Sequence, residues 1–451
     1  MKVKIMVLFL CALIFMFSCS KEPVQSEQDI SQQLEKKAET FIQHMVKGEF
    51  QQAAENFDQA MKEAMSVQDL EDLWETMNLQ IGLFLEVKEY RYEKYEQFDV
   101  IFAICSFEKM DVKFRIVFDS LQQIAGLGFL PVEQEYVYEP PEYVDENLFE
   151  EIDIEFGNPD WLLPGNLTLP KAEESCPVVI LVHGSGPQDR DETIGPNKLF
   201  RDLAWGLSSR GIAVLRYDKR TFVHGQKMVE SDVFIDFDME TVDDVAQAVK
   251  FLKQYEQADF SKIYVLGHSM GGYLIPYMLD KYPDLIDGAV IMAGNTRPLE
   301  DLILEQTEYI LTADGELSEF DSTQIDLVTR QVNWAKSDQL TADTPPDSLP
   351  MYLPAEYWLM AREYHPAELM KKAAVPVLIL QGERDYQVTM EDFQNWKDAL
   401  EQNDNVSFIS YPDLNHLFIS GEGESTPEEY MTEGHMSGVV LEDIVKWIDN
   451  N

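Results

Sequence analysis

Hydrophobic positions recur at two different intervals in the first third of the chain. Between residues 32 and 78 they return every three or four residues among charged side chains, which predicts amphipathic helices. From 83 to 129 the pattern is strand-like, and apolar and polar residues alternate over 112–118 as in a half-buried antiparallel strand. Because helices precede strands, we predict a small α+β domain over 31–130. The apolar helical positions are Leu34, Phe41, Met45, Phe50, Phe57, Met61, Leu70, Leu73 and Met77.

Short apolar runs dominate the longer remainder of the chain. Such runs, rich in valine and isoleucine and bounded by turn residues, are typical of strands buried on both faces of a mostly parallel sheet. We therefore predict an α/β domain over 149–451, joined to the first by a proline-containing linker over 131–148. The apolar runs lie at 177–182, 263–266, 288–293, 375–380 and 406–411.

About eighty residues separate the third of these runs from the fourth, which is too long for a plain connection. Helical patterns within the insertion predict a lid over residues 297–372. Its large side chains have two interpretations: they line a substrate pocket, or they pack in the core, which such spacing favours. These side chains are Tyr352, Tyr357, Trp358, Met360 and Tyr364.

The densest chemical signal is Gly-His-Ser-Met-Gly at 267–271, directly after an apolar run and before a predicted helix. This is the strand–turn–helix context in which a serine hydroxyl is presented as a nucleophile at the end of a sheet. Gly267 and Gly271 suit it because the tight turn leaves no room for a Cβ on either side. Ser269 is therefore the candidate nucleophile, and His268 completes the elbow.

A serine hydroxyl needs a base to take its proton and a third group to orient that base. Three histidines follow Ser269 in the chain: His365 before a proline in the predicted lid, His416, and His435 in a stretch rich in glycine and glutamate. His416 lies in the loop after the last apolar run, where a catalytic base is expected. Asp385 lies just beyond the preceding run, where an ordinary turn carboxylate is the alternative interpretation. Three such groups at three strand exits favour a triad.

An oxyanion formed at the serine needs two N–H donors. One candidate is the N–H of Met270. The other comes from His-Gly-Ser-Gly-Pro at 183–187, which follows a buried run. Ser185 is the favoured donor and Gly184 the alternative, while an ordinary Gly-Pro turn is the interpretation without catalysis.

Five stretches carry a family resemblance: HGSGPQDRDE (183–192), LRYDKR (215–220), GHSMGGYLIP (267–276), PVLILQGERDYQV (376–388) and LNHLF (414–418). Together they make residues 150–451 resemble the bacterial α/β-hydrolase esterases related to dienelactone hydrolases and prolyl-oligopeptidase-like enzymes. The resemblance implies an α/β-hydrolase fold and a carboxylic-ester hydrolase. It also implies Ser269 as nucleophile, Asp385 as acid and His416 as base. Thr221 stands where that family usually has glycine.

The first domain resembles, at the level of pattern and over about residues 30–130, a nuclear-transport-factor-like domain of unknown function that often precedes bacterial hydrolase domains. Such a domain binds a ligand or partner, or it shields the hydrolase. The second, purely structural role is the favoured interpretation.

The chain start predicts export. A basic start and an apolar run over 5–17 describe a signal sequence over 1–18, too short to span a bilayer comfortably. Ser-Cys at 18–19 resembles a bacterial lipoprotein processing site, which would leave Cys19 lipidated and the protein anchored in the cell envelope. Secretion or an uncleaved anchor are the alternatives. Residues 19–30, rich in polar side chains, are predicted to be a tether.

The charge composition limits which binding partners are expected. With 35 Lys and Arg against 82 Asp and Glu, the formal net charge is −47. Such a surface repels nucleic acid and anionic lipid, so we expect no nucleic-acid partner and membrane contact only through the lipid anchor.

A disulfide between Cys105 and Cys176 would join the two domains, and two thiols without a bridge are the favoured alternative. No Cys/His cluster has zinc spacing, so no metal or cofactor is implied.

The prediction from sequence is a serine hydrolase that cleaves small to medium carboxylic esters through an acyl-serine intermediate. The same triad would serve a serine peptidase or an acyltransferase. A lipid-anchored binding protein with a vestigial hydrolase is the alternative outside enzymes. The acyl and alcohol groups and the oligomeric state are left open.

Overall fold

The computed structural model describes residues 27–95, 98–132, 136–171, 175–231, 235–313, 315 and 317–451. The chain divides into two compact units, residues 1–135 and 136–451. The predicted signal sequence and Cys19 lie outside the described residues, so export and lipidation stay predictions. In the part of the chain that is described, no helix has the length and apolar character needed to cross a membrane.

Helices precede strands in the first unit, as the hydrophobic pattern predicts. The strands pair antiparallel in chain order, and the helices bury apolar side chains against the sheet, Leu34 and Phe41 among them. The first helix begins within the segment predicted as a tether, so the end of that segment is helical. The elements are α1 (Glu27–Val46), α2 (Phe50–Ala53), α3 (Gln59–Ala64), α4 (Val67–Ile81), β1 (Phe84–Tyr95), β2 (Phe98–Phe107), β3 (Asp111–Phe118) and β4 (Ile124–Pro131).

The second unit alternates strands and helices. Its strands are β5 (Phe149–Phe156), β6 (Leu163–Pro170), β7 (Ser175–Val182), β8 (Thr193–Ile194), β9 (Asn197–Lys198), β10 (Ala213–Tyr217), β11 (Asp259–His268), β12 (Gly288–Met292), β13 (Val377–Gly382) and β14 (Val406–Tyr411). Its helices are α5 (Leu199–Ser208), α6 (Arg220–Glu230), α7 (Asp243–Lys253), α8 (Met270–Lys281), α9 (Leu299–Thr312), α10 (Glu319–Lys336), α11 (Ala355–Glu363), α12 (Pro366–Met370), α13 (Met390–Leu400) and α14 (Gly438–Asn450).

One mixed sheet organises this unit, in the order β14-β13-β12-β11-β7-β10-β6-β5. The six strands from β14 to β10 run parallel, and β6 and β5 continue the sheet antiparallel. Alternate residues of β7 enter two different hydrophobic cores, Val178 on one face and Val179 on the other. Both faces of the sheet are therefore covered, and the carboxyl ends of the parallel strands share one edge, where ligands bind in such sheets.

Helices α9 to α12 fill the long insertion between β12 and β13. Tyr364 donates a 2.6 Å hydrogen bond to the carbonyl of Tyr273 in α8. Tyr357 and Trp358 are each 2% exposed and belong to the core, whereas Tyr352 is 65% exposed. The insertion thus packs on the helix that follows the serine elbow, and two of its large aromatics serve packing.

The segment predicted as a linker is partly built into the second unit, which begins at residue 136. Tyr138 donates a 2.6 Å hydrogen bond to the Asp202 carboxylate, and Tyr143 donates one of 2.9 Å to the carbonyl of Met436. Cys105 and Cys176 are buried and form no disulfide in the described structure.

Candidate active site

Ser269 lies on a strained turn between β11 and α8. Its φ of 53° and ψ of −119° place a non-glycine residue in a region that is rarely populated and that marks functional sites. A Cβ on Gly267 would lie 2.4 Å from the Gly271 backbone, and one on Gly271 would lie 2.2 Å from the Val182 carbonyl oxygen. The two glycines are therefore required by the close approach of helix and strand.

Asp385 and His416 meet at the carboxyl ends of β13 and β14. Nδ1 of His416 lies 2.7 Å from Oδ2 of Asp385, and both side chains are buried. Oδ1 of Asp385 accepts hydrogen bonds from the N–H groups of Gln387 and Val388, and Oδ2 accepts a third from the Gln381 side chain. A carboxylate only accepts hydrogen bonds, so Nδ1 of His416 carries the N–H and donates the hydrogen bond to Asp385.

The His416 loop lies against the serine elbow. Nε2 of His268, the residue before Ser269, donates a 2.9 Å hydrogen bond to the carbonyl oxygen of His416, and the two imidazole rings are 4.6 Å apart. The N–H of Ser269 donates to the carbonyl of Met292 at the end of β12. The structure therefore brings the elbow, the histidine loop and the aspartate to one edge of the sheet.

The loop after β7 approaches the same place from the other side. A Cβ on Gly184 would lie 3.2 Å from the Cβ of Ser269, so glycine allows this close contact. The N–H of Gly184 already donates a 2.6 Å hydrogen bond to Glu192. The Ser185 N–H therefore remains the candidate donor from this loop. Met270 is the first residue of α8, and its N–H has no partner within the helix.

Glu192 and His268 form a buried pair that the sequence analysis missed. Glu192 is 1% exposed, and its Oε2 lies 3.0 Å from Nδ1 of His268 without the alignment of a hydrogen bond. Burial disfavours charge on both groups, but their mutual attraction outweighs it: the pKa of Glu192 is lowered and the pKa of His268 is raised. The pair ties the loop that carries Gly184 to the elbow and, through His268, to the His416 loop.

Replacing Glu192 with glutamine should lower stability by an amount that depends on pH. The lowered pKa of Glu192 gives stability that is present above pH 4.5 and lost as pH falls through its folded value. The raised pKa of His268 gives stability that is present below pH 6.5 and lost as pH rises through its folded value. We expect Glu192→Gln to lower the free energy of unfolding by roughly 1–3 kcal/mol, most strongly between these two values.

Urea unfolding of the wild type and of Glu192→Gln across this pH range measures the difference in their free energies of unfolding. Glu422→Gln, which removes an exposed carboxylate, is the matched control and should give a small difference that does not peak with pH. A Glu192→Gln deficit that stayed constant with pH would contradict the ion-pair assignment.

Further charged side chains, some buried and some half-buried, hold the loop after β7 in place. Arg190 binds the carboxylate of Asp218 at 2.8 Å, and Arg216 contacts Asp191. Lys219 donates a 2.9 Å hydrogen bond to the Gly184 carbonyl oxygen. Arg216 and Lys219 of the stretch LRYDKR, noted above only as part of a resemblance, thus supply cations that shape the loop opposite Ser269. Thr221, the departure from the family pattern, lies 3.3 Å from the Gly186 carbonyl through its hydroxyl.

This sheet order, with a serine elbow after the central strand β11, is the α/β-hydrolase fold. Residues 173–423 match the family described as serine aminopeptidase, S33, and residues 38–127 match one described as a protein of unknown function (DUF3887). Esterase EstD of Thermotoga maritima is 38% identical over 410 residues, covering 90% of this chain and 93% of that protein. The chain therefore belongs to the α/β-hydrolase esterases, and the predicted domain of unknown function precedes the hydrolase.

Two solved structures also align with this chain. Est1E from Butyrivibrio proteoclasticus is 16% identical with a TM-score of 0.42, covering 66% of this chain and 99% of that one. The Pyrococcus furiosus esterase Pf2001 is 17% identical with a TM-score of 0.42, covering 71% and 97%.

Proposed function

We propose that the protein hydrolyses carboxylic esters through an acyl-serine intermediate on Ser269. The observation that carries the proposal is the 2.7 Å contact between His416 and Asp385 beside the strained Ser269 turn. With the proton of His416 held on Nδ1 by the carboxylate, Nε2 has the lone pair that accepts a proton from an attacking hydroxyl. Asp385 then stabilises the imidazolium that forms.

The reaction proceeds in two halves. In the first, the Ser269 oxygen attacks the ester carbonyl while His416 takes the hydroxyl proton, and His416 then gives this proton to the leaving alcohol. In the second, water attacks the acyl-serine while His416 takes a proton from the water. His416 then returns this proton to the Ser269 oxygen as its bond to the acyl carbon breaks, and the carboxylic acid leaves. The N–H groups of Met270 and Ser185 stabilise the oxyanion in both halves.

Esters of small to medium acids are the proposed substrates. The supporting facts are the contact between His416 and Asp385 beside the Ser269 turn and the relative EstD, which is named an esterase. The family description, serine aminopeptidase, favours a second candidate, hydrolysis of an aminoacyl amide on the same triad. The two differ in the leaving group that His416 must protonate, an alcohol or an amine.

A fluorophosphonate probe followed by a substrate panel tests the proposal. We expect the probe to modify Ser269, as located by peptide mass spectrometry, because only an activated serine attacks phosphorus readily. Turnover of p-nitrophenyl esters of graded acyl length should exceed that of aminoacyl p-nitroanilides. An adduct elsewhere, or none, would contradict the triad, whereas faster anilide cleavage would favour the peptidase.

A further inference from the structure

The peptide bond between Gly184 and Ser185 is held through its carbonyl group. The Lys219 ammonium donates a 2.9 Å hydrogen bond to the Gly184 carbonyl oxygen, at a buried position. In a planar trans peptide the C=O and the N–H point in opposite directions. Fixing this carbonyl therefore also fixes the Ser185 N–H, which points away from Lys219. Rotating the peptide would take the carbonyl from the cation and turn an N–H toward it.

Lys219 is itself held at both ends. Its side chain is 2% exposed, and the ammonium donates a second hydrogen bond, of 2.8 Å, to Oε1 of Glu240. Its backbone N–H donates a 3.0 Å hydrogen bond to the carbonyl of Gln188, farther along the same loop. A buried ammonium that gave up either side-chain partner would be left poorly solvated, so the arrangement resists rotation.

Glu240 extends these contacts to the other oxyanion donor. The Tyr357 hydroxyl, in α11 of the insertion, donates a 3.2 Å hydrogen bond to Oε2 of Glu240 and lies 3.7 Å from the Met270 sulfur. Met270 carries the second N–H of the proposed oxyanion site. One continuous set of contacts thus runs from Met270 through Tyr357, Glu240 and Lys219 to the peptide that carries the Ser185 N–H.

We propose that Lys219 is a positioning residue that keeps the Ser185 N–H directed at the oxyanion, with Glu240 and Tyr357 holding Lys219 in place. The proposal rests on the function proposed above. Lys219 does not touch the substrate; it acts through the Gly184–Ser185 peptide. Without the ammonium this peptide is free to rotate, and its carbonyl oxygen would then face the developing negative charge and repel it.

The double variant Lys219→Met/Glu240→Gln tests the proposal without leaving a buried charge unpaired. We expect kcat to fall about 10²-fold while KM changes little, because the lost donor acts on the transition state. Inhibition by a trifluoromethyl ketone, whose serine adduct carries the same oxyanion, should weaken by a similar factor. A variant that was merely unfolded in part would not lose kcat and affinity for the ketone by the same factor.

Arg220→Met/Asp244→Asn is the matched control. This neighbouring pair is also buried. Its side chains contact each other, Arg220 also contacts Met239 and Trp161, and neither side chain forms a hydrogen bond or ion pair with the described loop over 183–192. We expect the control to keep kcat and ketone affinity near the wild-type values. Equal losses in the two double variants, or none in Lys219→Met/Glu240→Gln, would overturn the proposal.

Two measurements separate this proposal from the proposed function. Labelling of wild-type Ser269 by the fluorophosphonate tests the nucleophile alone, so failure there removes both proposals. Complete labelling together with unchanged kinetics of the Lys219→Met/Glu240→Gln variant removes only the role of Lys219. If that variant does not fold, Lys219→Arg decides. Its displaced donor should lower kcat and ketone affinity together by about tenfold, and unchanged values would overturn the role.

Discussion

Ester hydrolysis is expected to vanish when Ser269 is replaced with alanine, with a loss in kcat of roughly 10⁶-fold, as found when triad members of a serine hydrolase are removed. The variant keeps the N–H groups of Met270 and Ser185 but has no oxygen that can form the acyl-enzyme. Alanine removes one hydroxyl and keeps the turn, so we expect little change in thermal unfolding. Initial rates with p-nitrophenyl butyrate and a thermal melt measure the two quantities.

The histidines supply the controls for that experiment. His416→Ala should lose about as much as Ser269→Ala, and the double variant should lose no more than either single one, because the members of a catalytic triad act as a unit. His365→Ala changes an exposed histidine that also follows Ser269 in the chain, and it should keep wild-type turnover. Substantial hydrolysis by Ser269→Ala would refute the nucleophile, and a large loss in His365→Ala would refute the choice of base.

The second large effect is expected from Gly271→Ala. The added Cβ would meet the carbonyl oxygens of Val182 at 2.2 Å and His183 at 2.8 Å. These are backbone atoms that cannot swing aside, so α8 must move away from β7. We expect a loss of stability of about 1–3 kcal/mol or more. We also expect a drop in kcat of about 10²-fold, because the two proposed oxyanion donors, Met270 and Ser185, lie close along the chain to the residues of the shifted contact.

Gly225→Ala is the control for this substitution. Gly225 lies within α6, and a Cβ there would meet nothing within 4 Å. Alanine in an open helical position should leave turnover unchanged and raise stability by about 0.4–1 kcal/mol. Chemical unfolding and steady-state kinetics of both variants provide the comparison. A Gly271→Ala enzyme as stable and active as Gly225→Ala would show that the helix–strand contact is looser than the structure has it.

The features that sequence predicted well are those set by local pattern. The buried run at 177–182 lies in β7, and the other predicted runs lie largely in other parallel strands of the sheet. These runs were predictable because a strand covered on both faces must be apolar throughout. The Ser269 elbow was predicted from a local motif as well, because its glycines and its serine lie close together in the chain. Strand β5 was missed because its acidic, half-exposed pattern at the sheet edge lacks such a run.

Contacts between distant residues account for what sequence could not supply. Glu192 and His268 are far apart in the chain, and nothing local indicates that a carboxylate in a polar loop will be buried against the elbow histidine. Lys219 belongs to a charged stretch whose sequence is typical of an exposed segment. It is nevertheless buried, because the Gly184 carbonyl and the Glu240 carboxylate accept hydrogen bonds from its ammonium. The aspartate and histidine were identified from their strand exits, but their 2.7 Å contact is a property of the folded sheet.

The tyrosines at 138 and 143 bear on how the hydrolase is cut from the longer chain. A fragment started at 149, where the apolar runs begin, would leave the Asp202 carboxylate without the Tyr138 hydroxyl and the Met436 carbonyl without Tyr143. A fragment designed to express the hydrolase by itself should therefore start no later than residue 136, so that it keeps the short leading segment that hydrogen-bonds to the rest of the unit.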